Sequence, residues 1–323
     1  MDGQVSSDAL PELVELAARH DTYLEEQLKT NLLRKWGLRL FHHLRRNSKD
    51  GSAKNIAHHY DLGNSFYQAW LDPTMTYSSA VFDSDDDDDL ATAQINKYKR
   101  LAELADIQPG DQVLEIGCGW GGFAERALHR GDHRITGLTL SPSQAAYARD
   151  RLSDVPGQAD IRLEDYRAPR GRYQSIVSIE MFEAVGERYW KTYFEKLAAQ
   201  LSATGKAVIQ TITVDNDYFD SYRKGGDAVR AYIFPGGMLP SEKRFSEEAA
   251  RAGLSVTGIH RFGQDYATTL DRWLATFDAR IEDVRALGYD EKFIRLWRFY
   301  LASCAGTFRC GRTDVMQVDL QHA

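Results

Sequence analysis

Residues 113–122 read Val113-Leu114-Glu115-Ile116-Gly117-Cys118-Gly119-Trp120-Gly121-Gly122. The first four form a short apolar run of β character just after the turn signal Pro109-Gly110. A glycine-rich turn follows, then a helical pattern through His129. Glycines at such a turn let the backbone approach a ligand closely. The turn reads acid-x-Gly-x-Gly, not the GxGxxG spacing of nicotinamide binders. The next strand runs into Gly137-Leu138-Thr139-Leu140-Ser141, without the acid that would meet the ribose of NAD. No GxxxxGK[ST] occurs, which argues against a nucleoside triphosphate.

The same alternation continues outward. Strands are expected at 111–116, 134–140, 159–165, 173–180, 206–214, 255–263 and 313–320. Helices are expected at 90–105, 141–152, 189–201 and 246–254. Strands alternating with helices predict an α/β fold with a doubly wound, mostly parallel seven-stranded sheet of Rossmann-like type. Residues 266–309, rich in Leu, Phe, Trp and Tyr, read as two long helices inserted before the last strand. Residues 7–28 and 30–46 read as helices, with a polar linker near 46–54. The expected organisation is a basic helical segment at 1–54 followed by one domain at 55–323.

Composition narrows the function class. The 323 residues are 43% hydrophobic and 27% charged, which excludes collagen-like and long disordered chains. No stretch approaches the roughly 18 apolar residues of a membrane-spanning helix. The N-terminus lacks the layout of a signal peptide. Cys118, Cys304 and Cys310 form no CxxC pair and are too few for a disulfide framework, so a reducing cytoplasm is expected. A net charge of −7 argues against a general nucleic-acid binder. The charge is segregated, however: Lys29 to Lys54 holds eight Lys/Arg and one Asp. Between Lys29 and Arg46 those charges flank Leu33, Trp36, Leu40, Phe41 and Leu44, as in a helix packed on the main domain or one facing anionic lipid. The acidic run Asp83–Asp89 reads as a solvated loop and helix N-terminus, and no metal site is expected there.

VLEIGCGWGG followed by GLTLSPSQ resembles the class I S-adenosylmethionine-dependent methyltransferases. More specifically, the chain resembles the cyclopropane-fatty-acid synthase family, which includes the mycolic acid cyclopropane synthases. The likeness runs from about Asn55 to the C-terminus through HYDLGN, LDPTMTYS, FEAVG, IFPGGMLPS, YATTLDRW and FRCGRTDV. It implies an S-adenosylmethionine site. Tyr77 and Ser78 would lie near the methionine part. Glu115, Gly117, Cys118, Gly119 and Gly121 would surround the carboxylate and ribose. Thr139, Leu140 and Gln144 would meet the ribose and adenosine, and Asp165 and Tyr166 the adenine.

The resemblance also implies the reacting site. Glu183 and Tyr266 match residues that hold a bicarbonate ion acting as base, and Ile212 matches a donor of its backbone amide. Cys304 matches a cysteine assigned to the family's active site, although a cysteine on an apolar helix is more often a packing residue. The chain departs from the family pattern at three places. Ser79 stands where the synthases carry Cys, Gln210 where they carry His, and Ala184 where they carry His. Ser79 and Gln210 remain candidates for the anion pocket as hydrogen-bond donors, but Gln210 cannot titrate.

The function implied is transfer of one carbon to the double bond of an unsaturated phospholipid acyl chain, giving a cyclopropane. The alternatives are a methyl- or methylene-branched product, a small acceptor such as an amine, or an S-adenosylmethionine or lipid sensor without turnover. The helices at 266–309 would cover the lipid. The partners expected are unsaturated acyl chains and the inner face of the membrane, met peripherally, with no nucleic acid; a second copy in a homodimer is a further candidate.

Overall fold

The computed structural model describes residues 7, 9–20, 62–83, 89–168, 171–225, 229–230, 233–234 and 236–323. The basic stretch at 30–46, the linker at 46–54 and most of the acidic run fall outside the described residues.

The described chain begins with helix α1 (Leu10–Arg19) and the short helix α2 (Asn64–Gln68). Helix α3 (Leu90–Leu104) follows, started by Asp89, whose side chain accepts from the Thr92 amide at 2.7 Å. Then come strand β1 (Gln112–Ile116), helix α4 (Gly122–Leu128), strand β2 (Arg134–Thr139) and helix α5 (Pro142–Arg151). Ser141 caps α5 and Pro142 opens it, a pairing that suits a helix start. Strands β3 (Gln158–Leu163) and β4 (Tyr173–Ile179), helix α6 (Trp190–Gln200) and strand β5 (Leu201–Val214) complete the parallel part. The rest is α7 (Phe219–Lys224), α8 (Glu242–Arg251), β6 (Leu254–Arg261), α9 (Gly263–Ala279), α10 (Ile281–Ala286), α11 (Glu291–Arg309) and β7 (Thr313–His322).

The strands form one sheet in the order β3-β2-β1-β4-β5-β7-β6. The first five are parallel, and β7 runs antiparallel to both its neighbours. The chain winds outward in one direction from β1 and in the other from β4. The crevice at the carboxyl ends of these two strands is where such sheets bind ligands.

Three packed clusters hold the layers. One sheet face packs Leu114, Ile176 and Ile209 against Phe194 and Phe245. The other packs Val113, Ile135 and Val177 against Leu101, Phe123 and Ala148. The third cluster is aromatic: Phe66, Trp70, Trp273, Phe277 and Trp297 are buried together. Phe66 meets Trp297 edge-on with centroids 5.0 Å apart, and Trp70 meets Trp273 at 5.8 Å, the geometry aromatic quadrupoles favour.

The region read as two long helices at 266–309 is three, α9, α10 and α11. Arg280, at φ −111°, ends α9, and Gly288, at φ +95°, allows the turn before Asp290 caps α11. Leu270, Trp273, Phe277 and Trp297, on the helices expected to cover a lipid, pack as core in this cluster. Helix α1 lies directly on α11: a Cβ on Gly306 would stand 2.8 Å from the Glu15 nitrogen. Among the described residues, no helix is long and apolar enough to cross a membrane.

Candidate active site

A cleft opens at the carboxyl ends of β1, β2 and β4. Of the residues expected to hold a cofactor, Tyr77, Ser78, Glu115, Gly117, Cys118, Gly119, Thr139, Leu140, Gln144 and Tyr166 line it. Two do not. Gly121 caps α4, where an added Cβ would meet the Ala148 Cβ at 3.2 Å. Asp165 is held by Arg167 through a two-pronged ion pair of 2.7 and 2.5 Å. The acid that lines the cleft there is Glu164, one residue earlier, together with Met181 and Ala184 from the segment after β4.

The cleft wall is firmly positioned. Thr139 Oγ1 donates to Gln144 Oε1 at 2.9 Å, tying the end of β2 to the start of α5. The Tyr77 and Tyr300 hydroxyls meet at 2.7 Å. Lys97, fully buried, donates from Nζ to Ser78 Oγ and to Gln94 Oε1, both at 2.6 Å, and Gln94 Nε2 donates to the Ser78 carbonyl at 2.9 Å. Burial pushes Lys97 down to about 7, while the Glu180 and Asp72 carboxylates pull it up.

Glu115 is the penultimate residue of β1 and is 2% exposed. Burial pushes its carboxyl up to about 8, against the pull of Arg151. Its Oε2 is buried with no hydrogen-bond partner among the described residues. An orphaned carboxylate oxygen beside an open glycine turn fits a ligand hydroxyl or cation. A Cβ built on Gly119 meets nothing within 4 Å, so the backbone there faces open cleft. Burial also pushes the Cys118 thiol well up, which leaves it a wall residue and no nucleophile.

Ser79, Gln210 and Tyr266 converge, but on a residue that sequence reading missed. The Ser79 amide donates to Glu180 Oε1 at 2.8 Å, Gln210 Nε2 donates to the same oxygen at 2.8 Å, and the Tyr266 hydroxyl donates to Glu180 Oε2 at 2.6 Å. Gln317 Nε2 donates to Gln210 Oε1 at 3.0 Å, which turns the amide so that its nitrogen faces Glu180. Glu183 gathers the rest: the Ile212 amide at 2.5 Å and Thr211 Oγ1 at 2.9 Å both donate to its Oε1. Its Oε2 is buried without a hydrogen-bond partner among the described residues. Burial, then the neighbouring Glu180, pushes Glu183 up to about 8. Cys304 stands half-buried on α11 in the aromatic cluster, near enough to oppose ionisation of Tyr266 and Tyr300.

This sheet order, with a ligand cleft at its switch point and β7 inserted antiparallel, defines a class I methyltransferase fold. The chain belongs to the mycolic acid cyclopropane synthetase family, whose model matches residues 47–318. It is 40% identical over 279 residues to tuberculostearic acid methyltransferase UfaA1 of Mycobacterium tuberculosis, a match covering 84% of this chain and 65% of that protein. It is 36% identical over 260 residues to cyclopropane-fatty-acyl-phospholipid synthase of Escherichia coli strain K12, covering 80% of this chain and 65% of that one. The chain thus spans just under two thirds of these two relatives. The crystal structure of mycolic acid cyclopropane synthase CmaA1 complexed with SAH and CTAB superposes with a TM-score of 0.78 at 33% identity, over 83% of this chain and 98% of that one.

Proposed function

We propose that this chain transfers one carbon from S-adenosylmethionine to the double bond of an unsaturated phospholipid acyl chain, closing a cyclopropane ring. The observation that carries the reading is the continuity of the cleft. One cavity is lined both by the glycine loop with its orphaned Glu115 oxygen and by Glu180, on which three donors converge.

S-adenosylmethionine, when bound, supplies an electrophilic methyl group. Glu115 Oε2 is the acceptor for its hydroxyls, and the Thr139–Gln144 pair fixes the wall beside them. Tyr77 and Ser78, held by Tyr300 and Lys97, set the wall at the methionine part. An alkene attacking in line needs placement more than activation, so a fixed wall is the main catalytic contribution. Attack leaves a cationic acyl carbon, which must lose a proton to a base held close. Bicarbonate, the base that the family resemblance implies, does not fit this seat. Ser79, Gln210 and Tyr266 donate to Glu180, and the Ile212 amide donates to Glu183.

A second reading, a methyl- or methylene-branched product, is favoured by the name of the tuberculostearic acid methyltransferase and by Ser79, Ala184 and Gln210, which surround the step of proton loss. We place the basic stretch Lys29–Lys54 against anionic lipid at the inner face of the membrane, where the acyl substrate lies. The test is mass spectrometry of total fatty acids after expression with methyl-labelled methionine. The expected result is labelled acyl chains heavier by one CH2 group, with NMR separating a ring from a branch. Unlabelled acyl chains beside a folded protein that binds S-adenosylmethionine would refute the lipid reading.

A further inference from the structure

We propose that Glu180 is the catalytic base of this enzyme, a protein carboxylate seated where the family resemblance implies a bound bicarbonate. Three donors from three distant parts of the chain meet on it: the Ser79 amide, the Gln210 side chain and the Tyr266 hydroxyl, 101, 30 and 86 residues away in sequence. An array of a backbone amide, a carboxamide and a phenol around one carboxylate is an oxyanion seat, and it is filled by this chain's own side chain.

The backbone at this residue supports the assignment. Glu180 has φ +48°, in the left-handed region that a side-chain-bearing residue enters only against a steric penalty. Its amide donates to the Gln210 carbonyl at 2.8 Å, so β4 delivers it beside β5 and the turn then aims it into the seat. Non-glycine residues in this conformation persist where the surroundings hold them, and they cluster at functional sites. Glu180 also lines the cleft, whereas Glu183 is turned to the edge of β5 and is not among the lining residues.

The step balances without another reactant. The alkene π pair forms a bond to the transferred carbon while the carbon–sulfur pair leaves on sulfur. The carbocation left on the adjacent chain carbon then draws in a C–H pair of the transferred carbon as that carbon loses its proton, and the pair closes the third side of the ring. The proton goes to Glu180. Oε2 accepts one hydrogen bond among the described residues, from Tyr266, and a carboxylate oxygen can accept two, so it has a lone pair for the proton. Burial raises the basicity of this carboxyl above the ordinary range, which answers the objection that a solvated glutamate is a weak base.

The inference rests on the methyl-transfer reading of the cleft, and the test separates the two. The full chain is assayed with S-adenosylmethionine and unsaturated phospholipid vesicles, in carbonate-free buffer and with bicarbonate added back. S-adenosylmethionine binding is followed by calorimetry and 13C-bicarbonate binding by NMR. The wild type should be equally active in both buffers and should bind no bicarbonate in the seat. Glu180→Gln, which keeps the side-chain volume, should bind S-adenosylmethionine and lose roughly 100-fold or more in turnover, the scale of a placed acid–base group. Glu180→Ala should bind bicarbonate, because its three donors are then uncommitted. A wild type whose activity falls without carbonate and returns with it, or an active Glu180→Gln, would overturn the inference. A wild type that binds no S-adenosylmethionine would instead overturn the reading beneath it.

Discussion

Gly119 and Gly137 offer a contrast that separates cofactor binding from stability. Gly119 sits at φ +51° with nothing within 4 Å of a built Cβ, so Gly119→Ala meets no protein atom. Its penalty in the ligand-free chain is the backbone conformation alone, roughly 1 kcal/mol. For a chain this size that is a melting-point drop of about 2 °C. The new methyl points into the cleft, however, where S-adenosylmethionine would run along the loop. A clash that only relieves itself by shifting the ligand should weaken binding at least about tenfold, or ~1.4 kcal/mol. Gly137 behaves in the opposite way. A Cβ there would stand 2.6 Å from Ile161 Cδ1 and 3.1 Å from Cys118 Cβ, both buried, and Gly137 does not line the cleft. Gly137→Ala is therefore an overpacking substitution of about 1–3 kcal/mol. Thermal melts and calorimetric titration of both variants should show Gly119→Ala losing affinity with little stability, and Gly137→Ala losing stability with affinity roughly unchanged. Wild-type affinity in Gly119→Ala, or affinity tracking stability across both variants, would refute the placement of the cofactor on this loop.

Two further outcomes follow from the charges. Burial raises Glu115 from 4.5 to about 8, so between those values the folded chain keeps a proton that the unfolded chain releases, and this group's contribution to stability falls as pH rises through that window. Ligand hydroxyls donating to its carboxylate favour the ionised form, so S-adenosylmethionine binding at pH near 7 should expel protons. Calorimetry in buffers of different ionisation enthalpy should register them, and Glu115→Gln should reduce them; buffer-independent heats would contradict this. On the membrane side, replacing Arg34, Lys35, Arg39, Arg45 and Arg46 by Gln should abolish sedimentation with anionic vesicles at low salt, since each basic side chain contributes about 1 kcal/mol there. Wild-type binding should fade as salt shortens the screening length, and equal binding by the variant would leave the segment a packing role.

The strands were legible because each is a short β-rich run bounded by turn residues, and all seven expected strands form. Their edges were less so. β5 starts at Leu201, not 206, because Tyr173 pairs with Leu201 while Ser175 pairs with Lys206, and the polar residues between bulge out of register. α8 starts at Glu242, four residues before the expected 246, because the Ser241 side chain caps it there. The division of 266–309 was likewise written in Gly288 and Asp290, an ending glycine and a capping acid, within a run whose apolar spacing read as continuous. In the cleft, the glycine loop and Glu115 were readable from local pattern. Asp165, expected near the adenine from the resemblance, is turned to Arg167, and the neighbouring Glu164 is the acid that lines the cleft. Glu180 left no local signal at all. It follows a strand and its partners are long-range in sequence, so only the pairing of β4 with β5 and the docking of α9 bring them together.

The electrostatics explain why a buried carboxylate can serve in this place. Glu115, Glu180 and Glu183 are all raised by burial, and Lys97 is lowered by it, so the ligand-free pocket is biased toward neutral forms. A sulfonium brings one positive charge into the same low-dielectric space. At about 4 Å and an effective dielectric near 20, its attraction for a carboxylate is roughly 4 kcal/mol. That is about three pK units, comparable with the rise from 4.5 to about 8 that burial gives Glu115 and Glu183. The cofactor's own charge is therefore large enough to ionise a carboxylate beside it. On the proposal above, burial favours the neutral form of Glu180 and a bound methyl donor would favour its anion, while the carbocation formed next on the acyl chain would keep positive charge near it. A base created by binding also avoids holding an unpaired anion in the pocket between turnovers, which burial would otherwise make unfavourable.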